Sequence, residues 1–223
     1  MNTTSHHESG QTVQSSNETG NGKYPNRRKA SWRVIDIVIA SVLAVVCGVI
    51  FWIWSNAVSP ATQTATVGFP PLSGLIGGGW LIAGVVGGLV IRKPGAAIYC
   101  EILAAVIEAL LGTHYSAGVL LSGLIQGIGA EIVFALFLYR RFGLTVAMFS
   151  GGVSGVFMGV SEVMMYYGFW EAKYQVVYIV CGTISGVIIA GLLGWALMRA
   201  LISTGVLGSV AAGRDARRTK VRP

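Results

Sequence analysis

Pro94-Gly95-Ala96-Ala97-Ile98-Tyr99-Cys100-Glu101-Ile102-Leu103-Ala104-Ala105-Val106-Ile107-Glu108-Ala109-Leu110-Leu111-Gly112 is an apolar run with two carboxylates inside it. Its length suits a helix crossing a bilayer. A charge at the bilayer centre costs about 3 kcal/mol on the mildest scale, so such residues are kept for function or are paired. Glu101 and Glu108 are almost two helical turns apart, which puts both on one face, about 10 Å apart along the axis. Glu131 and Glu162 repeat the pattern in the next two apolar runs, and no Lys or Arg lies in the core of any run. A negative, polar cavity within a membrane protein is the implied result. It would suit a cationic or hydrogen-bond-donating ligand.

The rest of the chain agrees with a membrane setting. Only 11% of its 223 residues are charged and 53% are hydrophobic, with a mean hydropathy of +0.67. A soluble domain carries about 25% charged residues. Apolar runs fall at roughly 33–54, 72–91, 94–112, 117–138, 143–168 and 175–200. Read as helices, they predict an all-α integral membrane bundle of six transmembrane helices, within one domain at 31–204. Residues 1–30 are expected to be a disordered tail, and 205–223 a basic tail. With no cleavable leader ahead of it, the first run is expected to double as the insertion signal. The third run is short for a full span, so it should tilt little or sit off-centre.

The positive charges orient the bundle. Lys23, Arg27, Arg28, Lys29 and Arg33 precede the first run. Arg92 and Lys93 follow the second, Arg140 and Arg141 the fourth. Arg199, Arg214, Arg217, Arg218, Lys220 and Arg222 end the chain. With six spans, fifteen of the 16 basic residues share one side, and only Lys173 lies opposite. The positive-inside rule then places both termini in the cytoplasm. This distribution also accounts for the net charge of +7 without any nucleic acid partner.

Orientation assigns depths. Glu108, Glu162, Trp80 and Gln126 belong to an outer tier, and Glu101 and Glu131 to an inner one. In the outer tier a carboxylate and an amide can form paired hydrogen bonds to an aminopyrimidine-like edge, while an indole stacks on the ring. The inner carboxyls could contact the ligand too, or they could be structural and share a proton. The uncharged outer segment 55–71, with Pro60, Phe69, Pro70 and Pro71, is read as a loop that either covers the pocket as a lid or simply connects two helices.

Several chemistries are excluded. Gly152-Val153-Ser154-Gly155 matches an intramembrane serine protease motif, but the histidines His6, His7 and His114 all precede it, so no base follows on a later helix. No phosphate-binding Gly-x-x-x-x-Gly-Lys-Ser/Thr occurs, so ATP is not bound through such a loop. Cys47, Cys100 and Cys181 are odd in number and lie inside apolar runs, so they read as packing residues. No metal or other cofactor is implied. Ala40-Ser41-Val42-Leu43-Ala44 is a small-xxx-small face open to close helix approach. Asp36 could reach water or pair with Arg33.

Longer motifs carry a family resemblance. Ile91-Arg92-Lys93-Pro94-Gly95-Ala96-Ala97, then Glu101-Ile102, Ala104-Ala105, Glu108 and Leu111-Gly112, resemble the YkoE-type substrate-binding (S) components of energy-coupling factor (ECF) transporters. Gln126-Gly127-Ile128-Gly129-Ala130-Glu131 continues the match. So do Ile184-Ser185-Gly186, Ala190-Gly191-Leu192-Leu193-Gly194 and Thr204-Gly205-Val206-Leu207. The resemblance implies a multi-pass subunit of the bacterial cytoplasmic membrane. It would take up thiamin or its hydroxymethylpyrimidine precursor and assemble with a transmembrane T component and two ATPase subunits. By motif, it implies ligand-binding roles for Trp80, Glu101, Glu108, Gln126 and Glu131, with Glu162 beside them. It also implies a T-component docking face at Ala40 and Ala44. The chain itself would not be an enzyme. A competing class is a proton-coupled transporter of organic cations, in which Glu101 and Glu131 exchange protons.

Overall fold

The computed structural model describes residues 31–113, 115 and 118–221. The expected N-terminal tail and His114 lie outside them. Six long helices form the bundle: α1 (Val34–Ala65), α2 (Pro70–Ile91), α3 (Ala96–Leu111), α4 (Gly118–Leu136), α5 (Leu144–Met165) and α6 (Ala172–Ser203). A shorter α7 (Ala211–Val221) follows. Five of the six are long and apolar enough to span a membrane on their own. The exception is α3, with 16 residues, the run expected to be short.

Neighbour contacts run α1–α3–α4–α5–α6, and α2 touches all of these. Burial makes α2 the central element: 78% of its most apolar window is buried, against 33% for α1 and 39% for α6. Apolar side chains gain little by meeting one another in lipid, so close backbone packing has to hold such helices together. Small residues make that approach possible. A Cβ added to Gly151 on α5 or Gly186 on α6 would overlap the other's carbonyl oxygen. Leu81, Leu89, Ile91, Phe134 and Met198 fill the main core.

Three boundaries differ from the sequence reading. The expected loop 55–71 is mostly helix, because α1 continues through a π-helical turn at Trp54–Val58 into Ser59–Ala65. Pro60, which has no N–H for the carbonyl a turn back, follows directly on the wider π-helical turn. Thr62, Thr64 and Thr66 each donate a hydroxyl to the carbonyl four residues back. Only a short turn then leads to Pro70. Second, the first half of α2 (Pro70–Leu81) is a 3₁₀ helix of 12 residues, far longer than the usual 3–4. Third, the expected basic tail is packed: Leu207, Val210 and Ala212 enter the core, and α7 follows.

The basic end of the bundle is tied shut. Asp36 is fully buried and pairs with Lys93 Nζ at 2.6 Å and Arg33 at 2.7 Å. Lys93 also donates to the Ser31 carbonyl, Trp32 Nε1 to that of Pro94, and Arg33 to that of Ser209. Arg92 pairs with Asp215 on α7 at 2.8 Å and lies over the Phe142 ring. Asp36 thus takes both Arg33 and a second cation from the α2–α3 turn.

Candidate functional site

A cavity of about 270 Å³ opens between the helices at the end away from that basic base. This approaches the ~300–1,000 Å³ of small-molecule pockets. Five of the six residues singled out from sequence line it: Trp80, Glu101, Glu108, Gln126 and Glu162. No Lys, Arg or His is among the described lining residues.

Phe51, Ser59 and Gln63 of α1 line one wall, and the π-helical turn between Phe51 and Ser59 supports it from behind. The turn places Ser55 so that its hydroxyl donates to Glu108 Oε1, while Trp80 Nε1 donates to Ser55 Oγ at 3.0 Å. Thr113 reaches the same carboxylate oxygen at 3.4 Å. Trp54 Nε1 donates to the Ile76 carbonyl at 3.0 Å, fixing the 3₁₀ stretch against α1. One turn later, Ser59 and Tyr115 share a hydrogen bond of 3.0 Å, and Gln63 donates to Ser59. The segment expected as a possible lid therefore contributes wall residues, in helical form.

Glu101 is deeper. It is 1% exposed, and its Oε2 accepts the amide of Gly84 on α2. A glycine is required there, since a Cβ on Gly84 would come within 2.9 Å of that oxygen. Among the described residues its Oε1 has no hydrogen-bond partner. An unpaired buried oxygen is costly and calls for an explanation, and here it borders a cavity. Gln126 lies on the α4 face that packs on Glu101: a Cβ at the adjoining Gly127 would sit 3.1 Å from Glu101 Cβ.

Glu162 stands near the C-terminal end of α5, away from the basic base, and is hydrogen-bonded by the Tyr178 hydroxyl. Around it are Tyr166, Tyr167, Tyr178 and Trp170. Tyr167 stacks on Trp170 at 4.3 Å and meets Tyr178 edge-on at 5.0 Å. Burial, then the Glu162 charge, pushes the Tyr167 phenol up to about 12. Tyr167 therefore presents a neutral hydroxyl and a π-face.

Two groups of residues singled out from sequence lie away from the cavity, in the interior of the bundle. Glu131 does not line the cavity. Its carboxylate accepts the amides of Gly95 and Ala97, at 2.7 and 2.8 Å, and the Tyr139 hydroxyl at 2.7 Å. It caps the N-terminus of α3, where unpaired N–H groups and the helix dipole favour an anion. Its acceptor sites are engaged there, and no proton-sharing pair with Glu101 forms. Ala40 and Ala44 are likewise not on a free face: both are 0% exposed, packed in the core between α1 and its neighbours. The Cys100 thiol approaches the Ala40 carbonyl at 3.7 Å. Their smallness serves this chain's own α1–α3 contact.

The sequence reading missed Ser55, Ser59, Gln63 and the tyrosines. The Tyr166-Tyr167 pair was visible four residues after Glu162, but aromatic residues at span ends are ordinary interface anchors. Only the packing brings them beside Tyr178 and Tyr115.

A family described as "ABC-type cobalt transport system, permease component" matches residues 35–157. A Bacillus subtilis (strain 168) protein named "Putative HMP/thiamine permease protein YkoE" is 34% identical over 194 residues, covering 86% of this chain and 96% of that one. A crystal structure titled as an S-component of an ECF transporter superposes with a TM-score of 0.79 at 34% identity, over 86% of this chain and 96% of the other. Among the described residues no three His, Cys, Asp or Glu side chains converge as a metal site.

Proposed function

The chain belongs to the YkoE-type S components of ECF transporters, and from that premise we propose that its cavity captures thiamin or hydroxymethylpyrimidine for import. The observation that carries this reading is a pocket lined by Glu101, Glu108 and Glu162 with Trp80 and four tyrosines, in which, among the described residues, there is no cationic side chain and Glu101 Oε1 has no partner. An aminopyrimidine supplies an N–H donor for that oxygen and ring nitrogens for the Gln126 amide. Trp80 supplies an indole surface for the ring. The geometry also supports a one-sided path: the arginine-rich base is closed by ion pairs, and the cavity lies at the other end. With the base in the cytoplasm, as the positive-inside rule has it, the pocket loads from outside. A T component and two ATPases of the bacterial membrane would then supply the energy.

Tryptophan-fluorescence titration of the purified chain with thiamin, hydroxymethylpyrimidine and riboflavin tests this. Saturable quenching by a pyrimidine compound, and none by riboflavin, is expected. No response to either pyrimidine compound refutes the ligand assignment.

A further inference from the structure

The cavity is chemically polarised along the membrane normal. Glu101 lies about 15 Å below the outer end of α3, counting ten residues to Leu111. Glu162 lies about 5 Å below the outer end of α5, three residues before Met165. Measured along its own helix, Glu101 is thus about 10 Å further from the C-terminal end than Glu162 is. The lower level offers hydrogen-bonding groups: the unpartnered Glu101 Oε1 and the Gln126 amide. The upper level offers a carboxylate among aromatic faces.

These levels suit different halves of a two-ring ligand. A thiazolium carries a permanent positive charge and no N–H, so at the floor it would leave Glu101 Oε1 without a hydrogen-bond donor. At the upper level that charge meets the Glu162 carboxylate and the faces of Tyr166, Tyr167 and Tyr178, which attract cations. Glu108 is less free to respond. Its Oε1 already accepts two hydroxyls, from Ser55 and Thr113. Among the described hydrogen bonds, Glu162 accepts only that of Tyr178.

Resting on the capture reading above, we infer that Glu162 and the Tyr167 ring set the preference for the charged vitamin over its neutral precursor. Glu101 and Gln126 read the aminopyrimidine that the two compounds share. Glu162 is thus a specificity determinant, placed at the outer level, and not a second copy of the Glu101 contact.

Dissociation constants for thiamin and for hydroxymethylpyrimidine test this on the full chain. Glu162→Gln should weaken thiamin roughly tenfold or more, and the neutral precursor less than about twofold. Tyr167→Leu should lower the same ratio by removing the ring. Glu101→Gln should weaken both compounds alike. Retained precursor binding shows that the variant is folded. If the wild type binds both compounds and both outer variants weaken both equally, the placement is overturned and the capture reading stands. A wild type that binds neither overturns both.

Discussion

Glu131→Ala separates a structural carboxylate from a ligand contact at a position where the sequence left both open. The change removes the acceptor for two backbone amides at the start of α3 and for the Tyr139 hydroxyl. Loss of a capping side chain costs about 1–2 kcal/mol. Each buried amide left without a partner adds about 1–3 kcal/mol, though Gly95 sits close enough to the surface to recover some of this from water. A total near 3 kcal/mol is the expected result. For a domain of this size that corresponds to a fall of about 6–12 °C in melting temperature. Glu131→Gln keeps one acceptor oxygen but turns the other into an NH2 donor facing a backbone N–H, and should lose about half of that or more. Affinity for thiamin, measured well below the melting temperature, should change less than about threefold, because Glu131 does not border the cavity. Differential scanning fluorimetry and titration on the same detergent preparation give both numbers. A Glu131→Ala protein with wild-type melting and no thiamin binding would refute the capping argument.

Other outcomes follow from the same geometry. Ala40→Trp should destabilise the chain by about 3 kcal/mol or more, since the position is fully buried against its own neighbours. Wild-type melting combined with lost T-component co-purification would contradict that burial. Trp80→Phe should remove most of the ligand-induced fluorescence quenching, while calorimetric affinity falls by about tenfold or less. Quenching that survives would place another indole at the ligand. The Tyr167 phenol is raised from its ordinary 10.0 to about 12. Above pH 10 the unfolded chain releases this proton while the folded chain still holds it, so its contribution to stability should be level below pH 10 and fall as pH rises toward about 12. In Tyr167→Phe this part of the alkaline decline should be absent, as read from melting curves across pH.

The bundle was legible because bilayer-length apolar runs and segregated arginines are direct records of the lipid environment. The carboxylates at 101, 108 and 162 stood out for the same reason. What the residues alone did not reveal depends on partners. Glu131 and Glu101 look alike in sequence, since both are single carboxylates in apolar helices. One meets the amides that open α3, the other a single glycine amide and a cavity. Ala40 and Ala44 marked a close-approach face correctly, but such a face does not say whether the helix it meets belongs to the same chain. The stretch after Ile53 carries no charge and includes prolines, which reads as a loop. It remains helical, with a π-helical turn directly ahead of Pro60.

The ties at the base have a consequence for biogenesis. Arg33 stands at the start of the first helix, and its carbonyl partner Ser209 is 176 residues further along. Asp36 waits for Lys93, and Arg92 for Asp215. The first helix can enter the membrane early, but its anchorage is completed only after the last helix has been inserted. A chain truncated before Ser209 would keep the Arg33–Asp36 pair but lack the final clasp.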